Sequence, residues 1–128
     1  MTHSDSDWFT ERCLAGGSAF ALQLNKKLHD EKTPFQRIEI YSITHFGNLM
    51  VIDGYIMLTS RDNFLYHEMM THPALFTHPD PQRVTIIGGG DCGTLREVLR
   101  HPGVMHAVQV EIDERVTLSV RTVLPGTL

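Results

Sequence analysis

The chain has 128 residues, 41% of them hydrophobic and 20% charged, with 11 basic against 15 acidic side chains and a formal charge of −4. That length suits one ordinary domain or two small modules, and the composition is that of a folded globular chain rather than a disordered one. The charge balance argues against a nucleic-acid partner, and no apolar run is long enough to span a membrane.

The N-terminal stretch "MTHSDSDWFTE" is polar and acidic, unlike a secretory leader. Cys13 and Cys92 form no CxxC motif and suggest no disulfide framework, so a reducing, cytoplasmic setting is expected. Residues 1–34 have no clear period, and "AFALQLNKKLHDEKTPF" is compatible with a strand or a short helix. In "RIEIYSI" (37–43), Ile38 and Ile40 alternate with Arg37 and Glu39, which predicts a strand. Asp53-Gly54 then separates two apolar runs in "NLMVIDGYIMLTS", a sequence suited to the positive backbone angles of a type I′ turn. A small antiparallel meander over roughly 36–60 is expected.

The period then changes. Thr59 and Asp62 have the spacing of a capping box, and "RDNFLYHEMMTHPALF" places Leu65 with Met69, and Tyr66 with Met69 and Met70, on shared helical faces. Pro79 and Pro81 in "THPDPQR" end that helix. A buried strand "RVTIIG", a glycine turn, a helix "GTLREVLRH", a strand "HAVQVEI" and a helical run from Asp113 follow. This β-α-β-α order opens a doubly wound parallel sheet. Parallel strands are normally covered on both faces, and two strands make at most half of a mononucleotide-binding unit. A truncated chain explains this better than a sheet that borrows strands from the meander.

"VTIIGGGDCGTLREVL" (84–99) is the first candidate site. Gly88, Gly89 and Gly90 permit a tight turn and close approach of a ligand, and Gly93 suits close packing at the helix start. Glu111 follows Asp91 by 20 residues, at the end of the next strand, where an acid accepts hydrogen bonds from ribose hydroxyls. The alternative is a purely structural turn with a solvated Glu111. Asp91 would repel a pyrophosphate, so a positively charged nucleoside such as S-adenosylmethionine or a relative fits better than a dinucleotide.

"YHEM" (66–69) is the second. Tyr66 and His67 point about 100° apart on a helix, so both reach one pocket only at its rim. A core aromatic is the competing reading for Tyr66. A zinc site in "HEMMTH" is rejected, because His67 and His72 are five apart and diverge by about 140° instead of sharing a face. Cys92 is read as a small lining residue at the mouth of the turn. His3, His29, His45, His78, His101 and His106 are expected at the surface.

Taken together, "WFTE" (8–11), "TPFQRIEIY" (33–41), "FGNLMVIDG" (46–54), "TSRDNFLYHEMMTHPAL" (59–75), "IIGGGDCGTLREVLRHPGV" (86–104) and "VEID" (110–113) resemble the spermidine synthases, the polyamine aminopropyltransferases. The resemblance implies an α/β protein in two parts. Residues 1–60 would form a small N-terminal antiparallel β domain, and 61–128 the first part of a Rossmann-like, methyltransferase-type parallel sheet. It also implies transfer of an aminopropyl group from decarboxylated S-adenosylmethionine, a co-substrate, to putrescine, with no tightly bound cofactor and no metal. By this resemblance Tyr66 is catalytic and orients the attacking amine. Asp91 binds the aminopropyl amine, Glu111 holds the ribose, and Gln36 and His67 line the nucleoside and polyamine pocket. A homo-oligomer, dimer or tetramer, is implied, with neither nucleic acid nor membrane as a partner.

Some features depart from the family. Ser60 and Asn63 stand where glutamates are usual, and Cys92 where glycine is frequent. The family's catalytic aspartate and adenine-binding acid belong to motifs later than Leu128, so these 128 residues alone are expected to be inactive. A methyltransferase using intact S-adenosylmethionine and a non-catalytic oligomerising fragment are the alternatives.

Overall fold

A computed structural model describes residues 7–123, and the chain divides between Arg61 and Asp62 into two compact units. His3 lies outside the described residues.

The first unit is a five-stranded antiparallel meander in the order β1-β2-β3-β4-β5. Its strands are β1 (Trp8–Cys13), β2 (Ser18–Lys32), β3 (Arg37–Ile43), β4 (Gly47–Ile52) and β5 (Tyr55–Thr59). The ambiguous N-terminal stretch is therefore strand. Residues 18–32 form one long β2 whose pairing with β3 shifts register twice, between Leu24 and Lys26 and between Lys27 and His29. Such bulges break strict alternation, which explains why the segment shows no clean period. The Asp53-Gly54 turn is as expected, with φ of 50° and 85°, so β4 and β5 close through two left-handed residues. Ile38 and Ile40 are fully buried, and Leu22, Tyr41, Ile43, Leu49 and Val51 form a cluster against Phe9, Leu24, Phe46 and Ile56.

The second unit runs α1 (Asn63–Thr77), β6 (Arg83–Ile87), α2 (Gly93–Leu99), β7 (His106–Val110) and α3 (Glu114–Val123). Strands β6 and β7 pair in parallel from Arg83↔His106 to Ile87↔Val110, as the β-α-β-α reading requires. Pro79 leaves its mark: His78, just past α1, is already extended at ψ 131°.

Three expectations fail here. Helix α1 starts at Asn63 with Asp62 in the capping position, while Thr59 is the last residue of β5, so no capping box forms at Thr59. The face drawn through Leu65, Tyr66, Met69 and Met70 is exposed, and the buried residues are Asn63, His67 and Thr71, spaced i, i+4, i+8. Hydrophobicity alone pointed to the wrong stripe because α1 packs on α2 through polar side chains. Strand β6 is also less buried than its apolar run suggests: Ile87 is 90% exposed, and Val108 and Val110 of β7 are exposed as well. Alternate residues of both strands remain open among the described residues, as helices cover only part of the pair.

No helix among the described residues is long and apolar enough to cross a membrane.

Candidate functional site

The glycine turn between β6 and α2 is held on several sides. Gly88 and Gly89 have φ of 81° and 72°, angles that other residues adopt at a cost. Gly88 N–H donates to Val110 O at 2.7 Å, carrying the parallel ladder one step past β6. The Gln109 amide donates to Gly89 O at 2.8 Å, and the Thr117 hydroxyl of α3 donates to Gly90 O at 2.7 Å. Gly90 leaves no room for a side chain, since a Cβ there would lie 2.9 Å from both Glu111 Oε2 and Val116 Cγ1.

Glu111 ties the end of β7 to this turn. One carboxylate oxygen accepts from Gly90 N–H at 2.9 Å, and the other accepts from Asp113 N–H at 3.1 Å. The acid is therefore oriented by backbone, which leaves its remaining lone pairs for a ligand. Asp113 in turn accepts from Arg115 N–H at 3.1 Å and caps α3.

Asp91 is buried, and its Oδ2 lies 2.8 Å from His67 Nε2. His67 is only 2% exposed, and its other ring nitrogen is 3.2 Å from the Thr94 hydroxyl. Gly93 makes this possible: a Cβ at that position would fall 2.2 Å from the imidazole ring, well inside contact distance. The glycine inferred to serve helix packing thus makes room for a specific side chain. Tyr66 lies edge-on to His67 with ring centroids 5.3 Å apart, and it is 58% exposed. It is not a core aromatic here.

The structure thus brings His67, Asp91 and Tyr66 together, with Glu111 joined through Gly90 of the same turn. Gln36 belongs to the first unit, in the β2–β3 turn. There Thr33 Oγ1 accepts from Gln36 N–H at 3.1 Å, and Gln36 O accepts from Thr33 N–H at 2.9 Å. Cys92 immediately precedes α2 with a left-handed φ of 62°, which explains why glycine is the easier residue at that position.

Sequence reasoning missed a second polar cluster. His101 is buried rather than superficial, and its Nε2 is 2.9 Å from His72 Nδ1. His72 Nε2 faces Glu97 Oε2 at 3.4 Å, and Phe76 packs against both imidazoles. Glu97 is 2% exposed and accepts from Arg96 at 3.0 Å and Arg100 at 2.7 Å. Burial by itself pushes the Glu97 carboxyl up, but hydrogen bonds from Arg100 and then Arg96 hold it below the ordinary carboxylate range. Glu68, His72 and Glu97 bring ligand atoms close together, yet the two guanidinium groups already take the Glu97 oxygens. His72 and His101 are 29 residues apart in the chain, and no spacing within one element marks the cluster. His67 and His72 serve separate contacts, as their spacing implies.

Comparison with known proteins agrees with this architecture. Residues 7–60 match the spermidine synthase tetramerisation domain, and residues 63–128 match the spermine/spermidine synthase domain. The chain belongs to the spermine/spermidine synthase family. It is 70% identical over 110 residues to a polyamine aminopropyltransferase of Nitrosococcus oceani, covering 86% of this chain and 39% of that protein. A polyamine aminopropyltransferase of Alkalilimnicola ehrlichii is 61% identical over 121 residues, which cover 94% of this chain and 42% of the relative. A crystal structure of spermidine synthase in complex with the transition-state analogue AdoDATO superposes with a TM-score of 0.89 at 37% identity, covering 97% of this chain and 42% of that one. Spermidine synthase from Thermotoga maritima gives the same TM-score and identity, with 44% of its chain covered. The chain thus spans about two-fifths of the length of the relatives it matches.

Proposed function

We propose that this chain forms the donor-binding part of a cytoplasmic, homo-oligomeric aminopropyltransferase that makes spermidine from putrescine and decarboxylated S-adenosylmethionine. The observation that carries this reading is the buried Asp91 carboxylate held by His67 at a glycine turn. A carboxylate there repels phosphate, and it also repels a donor that retains its own carboxylate. It attracts a donor that carries an ammonium and a sulfonium. In this reading Asp91 takes the aminopropyl ammonium, Glu111 the ribose hydroxyls, and His67 lines the nucleoside and polyamine pocket. Tyr66, exposed at the rim, orients the acceptor amine. The tetramerisation-domain match supports self-association through the N-terminal unit.

In the reaction, a neutral putrescine nitrogen attacks the methylene carbon beside the sulfonium. The N–C bond forms as the C–S bond breaks, sulfur keeps the electron pair as methylthioadenosine, and the new ammonium gives up a proton. The leaving group is already activated, so the protein contributes alignment and proton removal. Alkylammonium groups titrate near 10, by analogy with lysine, so carboxylates and acceptors around the amine must help free its lone pair.

The test offers putrescine, with either decarboxylated or intact S-adenosylmethionine, to the product of the longest natural reading frame that contains these residues. Methylthioadenosine and spermidine from the decarboxylated donor alone are expected, and Asp91→Asn should abolish both. S-adenosylhomocysteine from the intact donor would instead make the protein a methyltransferase. The 128-residue chain by itself is expected to release no product.

A further inference from the structure

The His67–Asp91 contact needs a reason to hold its geometry, because a histidine ring can rotate by half a turn about its Cβ–Cγ bond. Asp91, as a carboxylate, only accepts, so its 2.8 Å contact requires the proton on His67 Nε2. A neutral ring then has a bare Nδ1, and the polar group facing it is the Thr94 hydroxyl at 3.2 Å. That hydroxyl has no other acceptor among the described residues. Half a turn of the ring would set carbon atoms against both Asp91 and Thr94 and break both bonds of a side chain that is 2% exposed, where lost bonds are poorly replaced by water. Gly93 limits the ring sterically but cannot distinguish its two faces, because carbon and nitrogen edges are nearly the same size.

We propose that Thr94 is a positioning residue of this site. Its hydroxyl donates to Nδ1, fixes the imidazole in the Nε2–H form, and aims that N–H at Oδ2 of Asp91. The pair then keeps one net negative charge and leaves Oδ1 of Asp91 for the ammonium of a ligand. This rests on the reading of Asp91 as the group that binds the donor amine. Thr94 acts through His67 and touches no substrate.

Thr94→Val keeps the shape and removes the hydroxyl, while Thr94→Ser keeps the hydroxyl, and both are made in the longest natural reading frame. Long-range nitrogen–proton spectra of the imidazoles, with His67 assigned by its disappearance in His67→Gln, read the ring without any substrate. A bare, hydrogen-bonded Nδ1 and a protonated Nε2 are expected in the unaltered protein and in Thr94→Ser, with a displaced Nδ1 signal in Thr94→Val. In kinetics, Thr94→Val should raise KM for the decarboxylated donor about tenfold, the equivalent of roughly one hydrogen bond, with kcat changed much less. Thr94→Ser should restore it. An unchanged His67 spectrum in Thr94→Val, or Thr94→Ser behaving like Thr94→Val, overturns the proposal. If the unaltered protein transfers no aminopropyl group, the proposed activity fails, and the substrate-free spectrum still decides whether Thr94 positions the ring.

Discussion

In the N-terminal unit most buried positions are apolar, with Ile38, Ile40, Leu49 and Val51 fully enclosed and Thr33 and Thr59 as the polar exceptions among the described residues. In the second unit the helix that faces α2 buries Asn63, His67 and Thr71 and leaves Leu65, Tyr66, Met69 and Met70 exposed. The two kinds of burial tolerate change differently. Apolar contacts are non-directional, so a sheet core accepts many residues of similar volume. A buried polar contact survives only while each partner stays in place, because an abandoned donor or acceptor costs more than the bond was worth. The carboxylate proposed to bind the donor amine, Asp91, lies against this polar stripe through His67.

The largest effect that would break this contrast is expected at Gly93. Gly93→Ala removes no atom and should favour the helix, yet its Cβ would collide with the His67 ring. We expect a loss of about 2–3 kcal/mol in urea unfolding from this overpacking. The double variant Gly93→Ala/His67→Ala should be no less stable than His67→Ala alone. If Gly93→Ala remains as costly without the imidazole, the steric account of the α1–α2 contact is wrong.

A smaller effect, and one that sharpens the contrast, concerns pH. Glu97 is held below its ordinary value of 4.5 in the folded chain, so on acidification the unfolded chain takes up this proton first. Its stabilisation is present above about pH 4.5 and is lost as pH falls through the lower folded value. At neutral pH, Glu97→Gln should cost about 1–3 kcal/mol, since a buried acceptor of two guanidinium bonds is weakened. That cost should shrink toward zero below the carboxylate range. Ile40→Val, in the first unit, should lose about 1 kcal/mol at every pH where the chain is folded. Parallel pH profiles for the two variants would remove the distinction between the units.

The smallest effect has the opposite sign. Cys92→Gly relieves a left-handed backbone and should stabilise the protein by about 0.5–1 kcal/mol in thermal or urea unfolding. A loss instead would mean that the sulfur contacts with Gln109 and the Gly90 carbonyl outweigh the strain.

Much of this was legible in one dimension. The alternation of "RIEIYSI", the Asp53-Gly54 turn and the β-α-β-α order depend on local backbone preferences and repeat periods, which a linear string carries directly. Asp91, Glu111 and the glycine turn could be singled out because their spacing follows from one strand–turn–helix unit. The exposed Leu65–Met69 face, the unread β2 and the buried His101 were misjudged for a common reason. Their environment is set by residues far away in the chain, or by bulges that shift register without a sequence mark. What the sequence by itself determined is therefore the order of elements from about residue 36 onward and the acid within the turn. The pairing of His67 with Asp91, the space that Gly93 leaves for it and the Thr94 hydroxyl behind the ring were decided only by tertiary structure. Residues 67 and 91–94 meet because α1 packs on α2, and a directional contact between two helices has no period of its own.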